Sequence, residues 1–448
     1  MQPPVEAGRK VFIHTFGCQM NEYDTGKMRV QLASDGFAGT DDPALADLIL
    51  LNTCSIREKA VDKMDSALGE YRALKRRGQR VVIGVAGCVA QQEGQALLDR
   101  YPDVDLVFGP DGVPQVRTLV ARAAAGERVL DTTFLDLDNY PFVADVDPSQ
   151  HGVGAFVTIQ KGCDNKCTFC IVPTTRGVEA SRPSAEIVDE VRRLVDGGVR
   201  EITLIGQNVN SYGLKVDGEL TFAQLLYRVA EVPGVQRIRY TTSHPRDMGD
   251  DVVRAYREIP ALTSQLHLPV QSGSNRVLRR MKRFYTRERY LEVVAALRDA
   301  RPDLALTTDI ITGFPGETDE DFEQTLALLG EAGFVGSFSF RYSPRPGTPA
   351  LRLGDAVPEA VAAERLERWQ AAQRERSAAW SRSYEGQVVR VLVEGPARRD
   401  EGVVCGRTSA GLMVNFPGGL DLVGRLVDVR VTRGFTHSAR GERVADSA

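Results

Sequence analysis

Short apolar runs separated by helix-length stretches recur through most of this chain of 448 residues, and that alternation constrains the fold more than any other feature. Runs of this kind form parallel strands joined by helical crossovers, and a parallel sheet sends the C-terminal end of every strand to one edge. Up to about residue 148 the runs are "VFIHTFGC", "ADLILLNTC", "VVIGVAGC" and "VDLVFGP". The first three end on Cys18, Cys54 and Cys88. Open α/β sheets bind ligands at the carboxyl edge, so three cysteines far apart in sequence are expected to meet there. The competing reading is three buried structural cysteines, a residue type common in cores. Three equivalent positions favour a shared site.

The pattern breaks at "NYPFVADVDPSQHGVG" (139–154), read as a linker. Six further strand-like runs follow: "AFVTIQ", "EITLIGQN", "RIRYTTS", "SQLHLPVQS", "ALTTDIITG" and "GSFSFRYS". Helical patterns lie between them, so the expectation is an open, partial (β/α)6 barrel with its chemistry in the loops after the strands. After Tyr384 short strands divided by Gly and Pro turns predict a small C-terminal β-barrel. The expected architecture is α/β and multidomain: an open parallel α/β sheet over 1–148, the partial barrel over 149–382, and the small β-barrel over 383–448.

The charge balance excludes a globally basic nucleic-acid binder, since 60 acidic residues outweigh 56 Lys and Arg, so any such partner must be held by local patches. No apolar run reaches the roughly 18 residues of a membrane span, and the N-terminus has no apolar signal core. A cytoplasmic protein is therefore expected. Thiols stay reduced there, and an odd count of seven cysteines argues against a disulfide framework.

The stretch "GCDNKCTFC" places Cys163, Cys167 and Cys170 in one tight loop after the first barrel strand. A zinc site needs a fourth Cys or His, and a four-thiolate ferredoxin cluster needs a further Cys. Cys405 is the one cysteine outside the two triplets. A [4Fe–4S] cluster on three thiolates leaves one iron open for a substrate or cofactor, which gives the triplet a purpose.

C-x-x-x-C-x-x-C in this position resembles the radical S-adenosylmethionine superfamily. "GCQMN", "LNTCSIREKA", "AGCVAQ", "RGVEASRP", "LIGQNVNSYG", "TTSHP", "HLPVQSGS", "DIITGFPGET" and "YSPRPGTPA" follow in order. Together with a terminal barrel similar to a TRAM domain, they make essentially the whole chain resemble the methylthiotransferase family. "CQMNEYD" and "SPRPGTPA" look most like the tRNA branch that modifies isopentenylated adenosine beside the anticodon. The branches acting on a ribosomal-protein aspartate or on threonylcarbamoyl-adenosine look different after the first strand. An iron–sulfur electron carrier, the reading from another class, would leave the open-iron triplet and the long barrel without a use.

The resemblance implies two [4Fe–4S] clusters, one on Cys163, Cys167 and Cys170 that binds S-adenosylmethionine, and an auxiliary one on Cys18, Cys54 and Cys88. S-adenosylmethionine serves as radical source and as methyl donor, and no side-chain acid or base is assigned. The implied partners are a tRNA carrying isopentenyladenosine, an electron donor such as a flavodoxin or ferredoxin, and a sulfur source. A monomer without membrane contact is expected. Loop residues expected to hold the cofactor are Gln207, Asn208, Gln271, Ser272, Gly273, Asp309 and Gly313. Turn and cap chemistry alone also favours these residue types. His244 and His267 also end barrel strands and are read as scaffold residues. Arginines interleaved with aromatics over 276–290, with Arg279 and Arg283 as candidates, suit RNA, although a solvated helix over core aromatics fits equally. Arg398, Arg399, Arg407 and Arg433 are the candidates in the small barrel, which carries nine Arg against eight acidic residues.

Overall fold

The computed structural model describes residues 8–55, 58–136, 140–143, 146–398 and 400–444. By compactness the chain divides into two units, the first comprising 1–150, 160–165 and 171–182, the second 151–159, 166–170 and 183–448.

The first unit opens with β1 (Lys10–Phe16), α1 (Gln19–Ser34), β2 (Ala38–Gly39), β3 (Leu48–Thr53), α2 (Glu58–Arg76) and β4 (Val82–Gly87). It continues with α3 (Cys88–Glu93), α4 (Gln95–Arg100), β5 (Leu106–Phe108), α5 (Val116–Ala124) and β6 (Val129–Asp131). The strands form one parallel sheet in the order β2-β1-β3-β4-β5-β6. β3 is buried at every position, because helices cover both faces. Ile49, Leu51, Ile83 and Val85 pack with Met64 and Leu68 on one face. Leu48, Leu50 and Leu106 pack with Met28, Leu32 and Val120 on the other. Four strands were legible as apolar runs; β2 has only two residues and β6 reads "VLD", ending on an acid, so neither carries one.

β7 (Gly154–Thr158) belongs to the second unit, whereas β8 (Gln160–Lys161), α6 (Val172–Arg176) and β9 (Ala180–Ser181) return to the first, with β8 and β9 paired antiparallel.

In the second unit β7 is followed by α7 (Ser184–Asp196), β10 (Glu201–Ile205), α8 (Phe222–Ala230), β11 (Arg237–Tyr240) and α9 (Asp250–Glu258). Next come β12 (Gln265–His267), α10 (Asn275–Arg280), α11 (Arg287–Ala300), β13 (Ala305–Thr312), α12 (Asp319–Glu331), β14 (Gly336–Arg341) and α13 (Glu359–Arg382). The parallel ladders β7-β10-β11 and β12-β13-β14 are joined by one parallel bridge, Ile238 to Leu262. All six runs read from the sequence are strands, and they lie in chain order as a partial barrel. Thr221, Ser274, Thr286 and Thr318 cap the helices that follow by accepting a first-turn N–H, which is why the chain turns from loop to helix there.

The chain ends in a closed barrel of β15 (Val388–Pro396), β16 (Val403–Arg407), β17 (Met413–Pro417), β18 (Leu426–Gly434) and β19 (Ala439–Arg443), ordered β15-β16-β17-β19-β18. Val391, Val393, Val404, Val414, Phe416, Val429 and Val431 fill it. The fifth strand reads "ARGER", a polar sequence that gave no strand signal. Within the same unit, Arg237 donates to the Arg407 carbonyl, Arg239 to the Thr408 carbonyl at 3.2 Å, and Ser409 Oγ accepts the Ser264 N–H at 2.9 Å. Arg237 opens β11 and Ser264 precedes β12, so the small barrel is bonded to the amino edge of the partial barrel, opposite its post-strand loops.

Among the described residues no helix is long and apolar enough to cross a membrane. Trp369 of α13 is fully buried, and its indole N–H donates to Ser337 Oγ at 2.8 Å. Replacing Trp369 by Ala is expected to cost about 3–5 kcal/mol, read from urea unfolding of the metal-free protein.

Candidate functional site

In the first unit, β1, β3 and β4 pair so that Phe16 faces Thr53 and Thr53 faces Gly87. The strands therefore run out together, and Cys18, Cys54 and Cys88 follow within two residues of their ends. Cys54 and Cys88 are buried. Cys18 Sγ donates to Asn21 Oδ1 at 3.2 Å, and the neighbouring Cys54 thiol, together with the Arg176 guanidinium, pulls Cys18 down to about 6. Burial pushes the Cys88 thiol up, while the positive charge of Arg176 opposes that push. Asn21 Nδ2 donates to Asn52 Oδ1, and Asn52 Nδ2 returns a bond to the Asn21 carbonyl, both at 2.9 Å, tying α1 to β3 beneath the cysteines. Gly17 has φ +142°, and a Cβ there would stand 2.3 Å from that of Cys54; only glycine lets the chain turn this close.

Two buried ion pairs flank this edge, Arg176 with Asp24 at 2.8 Å and Lys161 with Asp111 at 2.6 Å. Sequence reading missed all four residues. Arg176 stands in "TTRG" and Asp24 in "NEYD", with no spacing that links them. The first unit also holds Cys163, whose N–H donates to the Gly177 carbonyl at 3.1 Å.

Cys167 and Cys170 belong to the second unit. Arg283 Nη1 donates to Cys167 Sγ at 3.3 Å, and its other nitrogens bond Tyr285 Oη and the Pro269 carbonyl. Arg283, expected as an RNA contact, is thus corrected: it is buried and spends its donors beside a cysteine. Tyr285 and Tyr290 are likewise core residues, bonded to the Val270 and Leu268 carbonyls. Most of the basic run is consumed internally: Arg276 by Asp321, Arg280 by the Pro315 carbonyl, and Arg287 by the Gln324 carbonyl. Arg279, Lys282 and Phe284 are exposed.

The post-strand loops of the second unit separate the expected cofactor residues. Gln207 Oε1 and Asn208 Oδ1 after β10, and Ser243 Oγ and His244 Nε2 after β11, are buried acceptors and donors with no hydrogen-bond partner among the described residues. Asn208 Nδ2 is already anchored on Asp247 at 2.8 Å. His244 Nδ1 accepts the Arg246 N–H at 3.2 Å, so Nε2 carries the ring proton, and burial pushes the imidazole down to about 2, keeping it neutral. Gln271, buried after β12 with φ +74°, has its backbone bonded to Asp309 and Ile311. Asp309 lies inside β13, 3.3 Å from His267 Nε2, rather than in a loop.

Three further expected cofactor residues make packing contacts. Ser272 Oγ meets Thr325 Oγ1 at 3.2 Å, and the Gly273 N–H donates to the same oxygen. A Cβ at Gly273 would strike the Gln324 carbonyl of α12, and one at Gly313 would strike Ala362 of α13. In the small barrel Arg398 is exposed, Arg407 pairs with Glu394 at 2.6 Å, and Arg433 lies 5.3 Å over Phe435. Arg399 lies outside the described residues.

Among the described residues no three Cys, His, Asp or Glu side chains converge closely enough to hold a single metal ion. A cluster gives each thiolate its own iron, and the neighbouring thiols, the lowered Cys18 and the glycine-backed turn fit such a group. The four unpartnered polar atoms after β10 and β11 fit a polar, zwitterionic ligand.

Residues 157–329 match the model of the Radical SAM superfamily, 10–109 that of the Uncharacterized protein family UPF0004, and 382–444 that of the TRAM domain. A radical S-adenosylmethionine protein of this superfamily implies a [4Fe–4S] cluster and S-adenosylmethionine. A Geobacter metallireducens tRNA-2-methylthio-N(6)-dimethylallyladenosine synthase is 49% identical over 436 residues, 96% of this chain and 98% of the relative. A Bordetella avium protein of the same name is 50% identical over 442 residues, 97% of this chain and 92% of the relative. The chain belongs to the family of tRNA-2-methylthio-N(6)-dimethylallyladenosine synthases. The solved radical S-adenosylmethionine methyltransferase TsrM from Kitasatospora setae shares the fold, with a TM-score of 0.57 at 15% identity over 77% of this chain and 74% of that one.

Gly162 opens the cysteine loop with φ +72°, and a Cβ there would lie 1.9 Å from the Val178 carbonyl oxygen. Gly162→Ala is expected to destabilise the β8–β9 pair and its cysteine loop by about 1–3 kcal/mol. Thermal unfolding of the metal-free protein checks this.

Proposed function

We propose that this protein converts N6-isopentenyladenosine, beside the anticodon of tRNA, to its 2-methylthio derivative. One observation carries the reading: a chain of the radical S-adenosylmethionine superfamily brings a second cysteine triplet, Cys18, Cys54 and Cys88, to one sheet edge. In this reading Cys163, Cys167 and Cys170 hold the cluster that binds S-adenosylmethionine, and the second triplet holds an auxiliary [4Fe–4S] cluster. When bound, these groups supply radical chemistry able to replace an aromatic C–H that is neither acidic nor electrophilic. The residues 1–148, 149–382 and 383–448 divide the work into auxiliary-cluster binding, cofactor binding and RNA binding. A flavodoxin or ferredoxin as electron donor, a separate sulfur source, a monomeric state and a cytoplasmic location complete the proposal.

The chain's own groups bind, orient and exclude water. Arg283 holds the Cys167 thiolate by a charge-assisted bond. Gln207, Asn208, Ser243 and His244 offer buried polar atoms to the amino-acid end of S-adenosylmethionine, with His244 as a neutral N–H donor at all working pH values. Gln271 is the remaining loop candidate. Asp309 and His267 share a strand face with Phe338, whose ring edge packs at 5.9 Å on His267. Such a face suits an adenine with an apolar substituent. Arg398 and Arg433, the latter with Phe435, are the phosphate and stacking contacts; Arg279 adds to them from α10.

Fully reconstituted protein is expected to hold about eight irons per chain. Changing Cys163, Cys167 and Cys170 together to Ala removes half of them and all cleavage of S-adenosylmethionine. The Cys18, Cys54 and Cys88 triple Ala variant still cleaves S-adenosylmethionine but makes no methylthiolated product. Iron analysis and mass spectrometry of tRNA nucleosides read both, and four irons in the intact protein would overturn the assignment.

Anticodon stem-loops with and without the isopentenyl group test the substrate; equal turnover of both would defeat it. Because the small barrel satisfies Arg237 and Arg239, deleting it would uncover buried charge and confuse the result. Arg398→Glu with Arg433→Glu is the cleaner variant. It is expected to weaken tRNA binding and to flatten its salt dependence by about one ion per lost contact.

A further inference from the structure

Arg176 is buried in the first unit, and nothing in the chemistry above uses it. It ends α6, which packs against α3, the helix that Cys88 opens. Its Nη2 donates to Asp24 Oδ2 on α1 at 2.8 Å, and the packing of α6 on α3 sets its guanidinium beside Cys88 and Cys18, whose charges it feels. An arginine cannot lose its proton in a protein, so a full positive charge is fixed beside the cysteine edge. The other charges facing it are Asp24, which it binds, and the Lys161–Asp111 pair, which is neutral in sum. A buried pair such as Arg176–Asp24 adds little net stability over apolar packing of the same volume. Its placement therefore calls for a reason other than holding the fold.

We propose that Arg176 is a positioning residue that stabilises added negative charge on the auxiliary cluster, whether an electron or an anionic sulfur ligand such as hydrosulfide. The inference rests on reading Cys18, Cys54 and Cys88 as cluster ligands. A fixed cation beside the ligand sulfurs raises the reduction potential and strengthens anion binding, because the local dielectric is low and the charge needs no reorganisation. Asp24 works in the opposite sense: it orients Arg176 and offsets part of its charge. The two residues should therefore shift the cluster in opposite directions, which a merely structural pair would not do.

The test uses full-length reconstituted enzyme and sodium sulfide as the probe, with the Cys163, Cys167 and Cys170 triplet changed to Ala so that one cluster is observed. Arg176→Met is expected to disfavour reduction tenfold, equivalent to about 59 mV for a one-electron couple, and to weaken sulfide binding by about tenfold, both followed by electron paramagnetic resonance. Asp24→Asn should shift the potential upward, and Arg176→Lys, which keeps the charge, should recover most of the loss. The double variant Arg176→Met with Asp24→Asn, which buries no lone charge, guards against misfolding and should lie between the single variants. Four irons with unchanged potential and sulfide affinity in Arg176→Met would overturn the role of Arg176 alone. Absence of iron from the Cys163, Cys167 and Cys170 variant before any change at Arg176 would overturn the cluster assignment, and the inference with it.

Discussion

Register between parallel strands is the constraint on which the first unit depends. Phe16, Thr53 and Gly87 stand level across β1, β3 and β4. A slip of one residue in any pair would carry a cysteine away from the edge and would exchange the side chains that pack on the two helix layers. The apolar packing of β3 on both faces prevents that slip. Chemistry at the edge thus inherits its precision from the core beneath it, and the Asn21–Asn52 exchange of hydrogen bonds adds a polar lock where the apolar core ends.

Arginine does much of the internal work in this molecule. Arg176, Arg237, Arg283 and Arg365 are all buried, and each meets carboxylates, carbonyls or a thiol. A planar fork of five donors can satisfy several acceptors at once, which lysine cannot. This explains why a chain with net negative charge carries a dense arginine run over 276–290 that is mostly scaffold. The sheet amino edge shows the same economy: Arg237 and Arg239 close it by capping carbonyls of the small barrel. Arg398 and Arg433 on that barrel and Arg279 on α10 are exposed instead.

The six barrel strands and four strands of the first sheet were legible because apolar runs and Gly-bounded ends are local signals. β2, β6 and β19 were not, since each is short or polar and exists only by pairing with a neighbour. The cysteine triplets were legible from spacing and from strand ends. The contacts of Ser272 with Thr325 and of Gly313 with Ala362 were not legible, because a turn residue looks the same in sequence whether or not it packs on a helix. Arg283 was misread because burial of an arginine depends on acceptors from residues 167 and 269.

By itself the sequence determined the order of strands and helices, the two cysteine triplets and the family they belong to. These rest on periodicity and on residue types at fixed spacing, which need no third dimension. Only the tertiary structure decided which polar groups remain without partners, which glycines serve packing, and that Asp24 and Arg176, 152 positions apart, form one buried pair at the cysteine edge. Pairing of that kind is set by how helices settle on a sheet, and no local pattern in the chain records it.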